Sequence, residues 1–248
     1  MTSEKERLDK VISAIPPVTS ALEPFNLQAE PGPLEIDLNR TAIIVIDMQN
    51  CFVSKGGMFD LWEWDIRPCQ KAIEPIKRIT QAARSKGVKV VKVVHVYDSD
   101  LSNTGGSNSP NWYKDTSLSS YREHPEWGDK FFIKGTWGAD IVDELKLEEG
   151  DLFVVKPRYS AFWKTNLDII LRTHNIKYVV FTGVATNVCV EHSVRDAYDY
   201  EYFPIVISDA TGAIGPPFMQ EATLINIKFV YGWVTDTESI LKAIAAKR

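Results

Sequence analysis

Residues 41–47 read Thr-Ala-Ile-Ile-Val-Ile-Asp, an unbroken apolar run closed by an acid. A run this short, rich in β-branched residues and without alternation, fits a strand buried on both faces, as in parallel sheets. The same unit recurs downstream. Val88–Val96, Asp151–Val155, Tyr178–Thr182, Phe203–Ser208 and Phe229–Trp233 are further strand candidates. Helical patterns lie between them: Pro68–Lys86 closed by Gly87, Ala139–Leu145, Thr165–His174, Asn187–Tyr200 and Phe218–Ile227, with Thr237–Ala246 last. Alternating strand and helix implies βαβ units, hence an α/β fold with helices on both faces of a parallel sheet. Tyr97–Thr136 breaks the rhythm. It is long, polar and aromatic, and loops of that length in a compact domain usually serve function.

Upstream, residues 1–35 read as a separate arm and residues 36–248 as the main domain. Glu4–Ile15 forms one amphipathic helix with Leu8, Val11 and Ile12 on one face, stopped at Pro16-Pro17; Pro24, Pro31 and Pro33 follow. Such an arm, part helix and part extended, lies on the main domain or on a neighbouring subunit. The 248 residues suffice to bury a full core. A net charge of -5 argues against nucleic acid, whose phosphates demand clustered Lys and Arg. No apolar run reaches the roughly 18–20 residues of a membrane helix. Met1–Lys10 is charged and lacks the apolar core of a signal peptide. Cys51, Cys69 and Cys189 are too few and too odd for a disulfide framework, so a cytoplasmic location is expected.

Ligands in open α/β sheets bind beyond the carboxyl ends of the strands. Three reactive side chains fall there: Asp47 after the first strand, Lys156 after the third, and Cys189 after the fourth and its turn Gly183-Val-Ala-Thr186. Taken singly, each is weak. A Cys near a helix start is more often a small core residue, an acid after a strand often a cap, and a Lys there usually solvated. Together they give a nucleophile, a general base and a cation. A helix start and a nearby Lys156 should lower the Cys189 pKa. Pro157 biases Lys156 toward extended backbone. The four histidines lack zinc-ligand spacing, and no glycine-rich phosphate loop appears, so neither metal nor nucleotide cofactor is expected. Cys51 is the rival thiol.

Val45-Ile-Asp47-Met-Gln-Asn50, Lys156-Pro-Arg-Tyr-Ser160 and Thr182-Gly-Val-Ala-Thr-Asn-Val-Cys189-Val-Glu191 resemble the isochorismatase-like cysteine hydrolases, from about Ile36 to Ser239. Ser109-Pro-Asn-x-x-Lys114, Lys134-Gly-x-Trp137 and Gly232-Trp-Val-Thr-Asp236 look most like the ureidoacrylate amidohydrolases of uracil breakdown. The resemblance implies a three-layer α/β/α fold with a six-stranded parallel sheet of order 3-2-1-4-5-6. It implies an Asp47-Lys156-Cys189 triad, a cis peptide at Val184-Ala185, and an oxyanion site at the N–H groups of Ala185 and Cys189. The expected activity is hydrolysis of a C–N bond in a small ureido or carbamoyl compound of the ureidoacrylate type; the alternatives are an amidase acting on another N-carbamoyl acid or a simple amide, and a non-catalytic binding protein on the same fold. Gln49, Asn50, Ser109, Asn111, Trp137, Tyr159 and Phe162 are expected on the pocket rim, with Arg158 or Lys114 meeting a substrate carboxylate. Dimers and tetramers are common among similar proteins, so a homo-oligomer is expected.

Overall fold

The structure, a computed structural model, describes residues 4–12 and 24–247. The Pro16-Pro17 stop and the side chains of Leu8 and Ile12 lie outside the described residues. A helix spans Glu4–Ile12. Strands β1 (Pro24–Leu27) and β2 (Leu34–Asp37) pair antiparallel. Six strands form the main sheet: β3 (Thr41–Ile46), β4 (Lys89–His95), β5 (Leu152–Lys156), β6 (Tyr178–Val184), β7 (Phe203–Gly212) and β8 (Trp233–Thr235). All pairings are parallel, in the order β5-β4-β3-β6-β7-β8. Counting only these six, the order is the expected 3-2-1-4-5-6.

Every residue of β3 is buried. Side chains alternate across a strand, so Ile43 and Val45 join one core, with Ile76, Ile79 and Ala83, while Ala42, Ile44 and Ile46 join the other, with Leu167, Leu171 and Val194. Burying each Ile contributes roughly 1.5–3 kcal/mol. In the helix Ile73–Ser85 the buried residues Ile76, Ile79, Thr80 and Ala83 recur at the spacing of one helical face. Gly87 ends it with φ 66°, and Val88 N donates to Ala83 O at 2.9 Å, the left-handed cap expected of glycine. The helices Leu167–Thr173 and Glu191–Asp199 cover the opposite face.

The boundary at residue 36 falls inside β2. Leu27, Leu34 and Ile36 are buried in the main core. Glu30 exchanges backbone hydrogen bonds with Val234 of the edge strand β8. The hairpin therefore covers an edge that would otherwise present open donors and acceptors.

Three expected elements differ. Pro68–Lys86 divides into Arg67–Lys71 and Ile73–Ser85. Ala139–Leu145 is not one continuous helix: Asp140 O accepts from Asn50 N and Val142 N donates to Met48 O, which pulls its middle into extended contact with the chain after β3 and leaves a single 3-10 turn at Asp143–Leu145. Ile227–Tyr231 is a wide helical turn, so the last strand begins at Trp233. The interval after β4 also carries more structure than expected. Ser109 caps the helix Pro110–Lys114, and Asp115 caps Thr116–Glu123 through a 3.0 Å bond from Leu118 N.

Gly183, the last residue but one of β6, has φ 106°. A Cβ there would sit 2.0 Å from Ile46 O. Only glycine lets the ends of β3 and β6 approach this closely. Gly183→Ala is expected to cost about 3 kcal/mol or more, read as a lower urea midpoint.

Candidate active site

The site forms where β3 and β6 adjoin, the point at which the sheet reverses its order. Asp47 leaves β3 in the left-handed region, φ 51°, a conformation that aspartate tolerates better than most residues. Its N–H donates to Val93 O at 2.9 Å. Lys156 ends β5, two strands away, in register with His95. Its chain therefore crosses the end of β4 to reach Asp47. Cys189 lies in the turn Thr186–Val190 that opens the helix Glu191–Asp199. The peptide between Val184 and Ala185 is cis.

Lys156 Nζ stands 2.8 Å from Asp47 Oδ2 and 3.4 Å from Cys189 Sγ, and donates to Arg158 O at 3.1 Å. The ammonium is thus engaged on three sides, by an ion pair with Asp47 and by hydrogen bonds to Cys189 Sγ and Arg158 O. Asp47 is 1% exposed, Lys156 0% and Cys189 6%. A serine hydroxyl holds the thiol-bearing turn: Ser193 Oγ donates to Cys189 O at 2.6 Å and accepts from Ala161 N at 2.9 Å. Ser160 Oγ donates to Asp196. The loop after Lys156 and the helix after Cys189 are thus one hydrogen-bonded unit.

The electrostatics correct one expectation. Burial pushes the Cys189 thiol well above its ordinary value; Lys156 lowers it, Asp47 raises it, and desolvation wins. Burial also raises the Asp47 carboxyl above its ordinary 3.8, against the opposing pull of Lys156. Burial disfavours the Lys156 ammonium too, but Asp47 and Cys189 outweigh it and hold its pKa above 10.5. The helix start and Lys156 do not suffice to make a resting thiolate. Proton transfer from Sγ to Asp47 is another matter: it leaves the buried cluster's net charge unchanged, whereas losing the proton to solvent adds an uncompensated buried charge. The three groups are therefore arranged to pass the thiol proton internally.

A cavity of about 130 Å³ opens beside Sγ. That is small against the roughly 300–1,000 Å³ of pockets for drug-sized ligands. Its wall is aromatic: Phe52, Phe59, Trp62, Trp64, Phe132 and Tyr159. Asp47, Ala185, Cys189 and Ile214 also line it, and His95, Thr116 and Ser117 add polar groups. Ring contacts brace the wall, with Phe52 on Phe132 at 5.4 Å and Trp62 against Trp64 at 4.9 Å.

Of the expected pocket side chains outside the triad and the oxyanion turn, the structure brings only Tyr159 to this cavity. Gln49 is fully buried and spends its amide on backbone: Nε2 donates to His95 O and Ala139 O at 2.9 Å, and Oε1 accepts from His95 N at 2.8 Å. Asn50 donates to Trp137 O. Trp137 lies on the surface under Lys130. Ser109 caps its helix, and Asn111 donates to Tyr97 Oη and Thr104 O. Arg158 donates to Asn103 O, Thr104 O and Pro157 O and stacks on Trp163. Lys114 is exposed on its short helix. Phe162 packs in the core against Tyr200. These residues build the frame around the site. The rival Cys51 is fully buried, its thiol pushed far up by burial and then by Asp47. The aromatic wall was missed, although Phe52, Phe59, Trp62 and Trp64 crowd the segment directly after β3, where a strand-end site draws its loops.

Among the described residues, Asp47, His95 and Cys189 offer three potential metal-ligand atoms within 4.8 Å of one another. The Lys156 ammonium, 2.8 Å from one donor and 3.4 Å from another, puts positive charge where an ion would sit.

The isochorismatase domain model matches residues 41–239. The chain belongs to the isochorismatase family. Within that family it is 44% identical over 222 residues to the ureidoacrylate amidohydrolase RutB of Serratia proteamaculans (strain 568), covering 90% of each chain. It is 42% identical to the protein of that name from Agrobacterium fabrum (strain C58 / ATCC 33970), covering 89% of this chain and 97% of that one. Solved isochorismatase-like structures share its fold. A cysteine hydrolase from Pseudomonas syringae pv. phaseolicola 1448A gives a TM-score of 0.72 at 27% identity, covering 86% of this chain and 96% of that one. N-carbamoylsarcosine amidase from Thermoplasma acidophilum gives 0.60 at 28%, covering 80% and 97%.

Proposed function

We propose that this protein is a cysteine-dependent ureidoacrylate amidohydrolase with Asp47, Lys156 and Cys189 as its catalytic triad. It is a hydrolase of carbon–nitrogen bonds in the isochorismatase family. The observation that carries the mechanism is the Lys156 ammonium seated between the Asp47 carboxylate and the Cys189 sulfur. Asp47 takes the thiol proton, and Sγ adds to the ureido carbonyl carbon. Lys156 and the N–H groups of Ala185 and Cys189 meet the charge on oxygen. The C–N bond to the substituted nitrogen breaks, and Asp47 returns its proton to the departing amine. Water then adds to the S-carbamoyl carbon, giving a proton to Asp47. The C–S bond breaks, carbamate leaves, and the thiol recovers its proton.

The reading takes the protein as metal- and cofactor-free, cytoplasmic, free of nucleic-acid partners and homo-oligomeric, a dimer or tetramer, with a hydrolase domain over 36–248 and an N-terminal arm. Three free, buried cysteines fit a reducing compartment. Phe218 and Val230 supply exposed apolar surface of the kind that subunits cover. No described helix is long and apolar enough to cross a membrane.

The test is amine and ammonia release over ureidoacrylate, N-carbamoyl amino acids, nicotinamide and simple amides, before and after dialysis against a chelator. Ureidoacrylate is expected to be the best substrate, with chelation without effect. The acid limb of kcat/KM is expected above pH 3.8, because Asp47 must be ionised to accept the proton and its pKa is raised. Turnover of another panel member alone would replace the substrate, and loss of activity on chelation would end the metal-free reading.

A further inference from the structure

His95 ends β4 and has no part in the triad. It is 2% exposed, yet its Nε2 has no hydrogen-bond partner. A buried, unsatisfied polar atom is rare enough in a folded protein to require a reason. The ring is rigidly held. Gln49 fixes the backbone on both sides, and the ring stacks on Phe132 at 4.4 Å and meets Tyr97 edge-on at 5.0 Å. It lines the cavity, and one of its ring nitrogens lies within 4.8 Å of an Asp47 carboxylate oxygen and of Cys189 Sγ.

The protonation state follows from the neighbours. The ring hydrogen-bonds the backbone of Pro157. Proline has no N–H, so the ring must donate to its carbonyl, and with Nε2 unpartnered the donor is Nδ1. Burial and then the Lys156 cation hold the imidazole far below its ordinary 6.5, so it is neutral. Nε2 therefore carries a lone pair and no proton. Lys156 is engaged by its ion pair with Asp47 and its bonds to Cys189 and Arg158 O, and it makes no hydrogen bond to Nε2.

We propose that His95 Nε2 accepts a hydrogen bond from the free –NH2 of the ureido group and so selects carbamoyl over ordinary acyl substrates. This deepens the amidohydrolase reading and rests on it. In a ureido compound that –NH2 stays on the carbonyl carbon when the substituted nitrogen departs. His95 then holds the same group in the substrate, the tetrahedral intermediate and the S-carbamoyl enzyme. An acyl amide places C–H at that point. It would bury Nε2 without a partner, which is how a site built for a hydrogen bond rejects an isostere lacking the donor.

The experiment compares 3-ureidoacrylate with 3-acetamidoacrylate, which differ only by –NH2 against –CH3 and release the same amine. His95→Phe keeps a ring against Phe132 and removes the acceptor; His95→Gln offers an acceptor oxygen. The ratio of kcat/KM, ureido over acetamido, is expected to fall about tenfold or more in His95→Phe and to recover in His95→Gln. If the acetamido compound is not turned over, the same ratio is read from dissociation constants in the Cys189→Ala background. A ratio unchanged within twofold, with both substrates falling together, overturns the proposal and leaves the amidohydrolase reading standing. Wild-type enzyme that spares 3-ureidoacrylate altogether removes both, and shows it before any variant is made.

Discussion

Cys189→Ala is expected to fold normally and to lose at least about 10⁴-fold in kcat, the scale on which removing a nucleophile from a cooperating triad acts. The side chain is small and buried, and its deletion removes one sulfur beside an existing cavity. The stability change is therefore expected within about 1.5 kcal/mol, checked by urea unfolding. Substrate should still bind, because the aromatic wall and His95 are untouched. That combination separates chemistry from fold, and it makes the variant suitable for trapping the bound substrate. Mass spectrometry offers the complementary view. Wild-type protein quenched during turnover should carry a carbamoyl group on Cys189, and the variant should carry none. Residual turnover within tenfold of wild type would move the nucleophile elsewhere, with Cys51 the thiol to examine next.

Lys156→Met is expected to damage both stability and rate. Methionine nearly matches the volume but leaves Asp47 without its cation in a site that is 1% exposed. Removing one partner of a buried ion pair costs about 3–5 kcal/mol. The variant can lessen that cost by protonating Asp47, whose pKa burial already raises. The folded variant then binds a proton that the unfolded chain lacks at neutral pH. Its stability should rise as pH falls from 7 toward 5 and be lost as pH rises, so the deficit against wild type narrows on the acid side. A protonated Asp47 cannot accept the thiol proton, and no cation meets the developing oxyanion, so kcat should fall about 10³-fold or more. Lys156→Arg is not a rescue, since a planar fork cannot direct three donors at Asp47, Cys189 and Arg158 O. Urea midpoints at two pH values with kcat measured beside them decide the matter. A stable variant within tenfold of wild-type rate would remove Lys156 from the triad.

The frame of the molecule was legible in the chain because five of the six strands of the sheet announce themselves locally; the short β8 did not, since Ile227–Tyr231 before it is helical. Thr41–Ile46 and Tyr178–Val184 are apolar on both faces, and a run of that kind has few other homes. The triad was legible for the same reason: Asp47 and Lys156 sit where strands stop, and Cys189 follows a glycine-bearing turn. The pocket was not. Gln49 and Asn50 adjoin Asp47 in sequence, yet their amides turn to backbone carbonyls that come from residues 95, 137 and 139. Arg158, two residues from Lys156, likewise satisfies the loop at 103–104. Nearness along the chain to a catalytic residue says little about facing a ligand, because the backbone carbonyls of a long excursion need donors. His95, like the other histidines, stands out in the sequence only by lacking metal-ligand spacing. Its meaning emerges from a missing partner, which no linear pattern encodes.

The reactive groups and the cavity wall come from different kinds of backbone. Asp47, Lys156 and Cys189 are anchored at the ends of paired strands, whereas Phe59, Trp62, Trp64, Thr116 and Ser117 sit on two excursions that leave the sheet and return. That division separates inheritance from adaptation. A lineage can rewrite the excursions, lengthening one or exchanging an aromatic ring, without disturbing the registers that bring acid, amine and thiol together. The chemistry is then the slow variable and the choice of molecule the fast one, and descendants of such a scaffold would diverge first in what they admit and last in how they cut it.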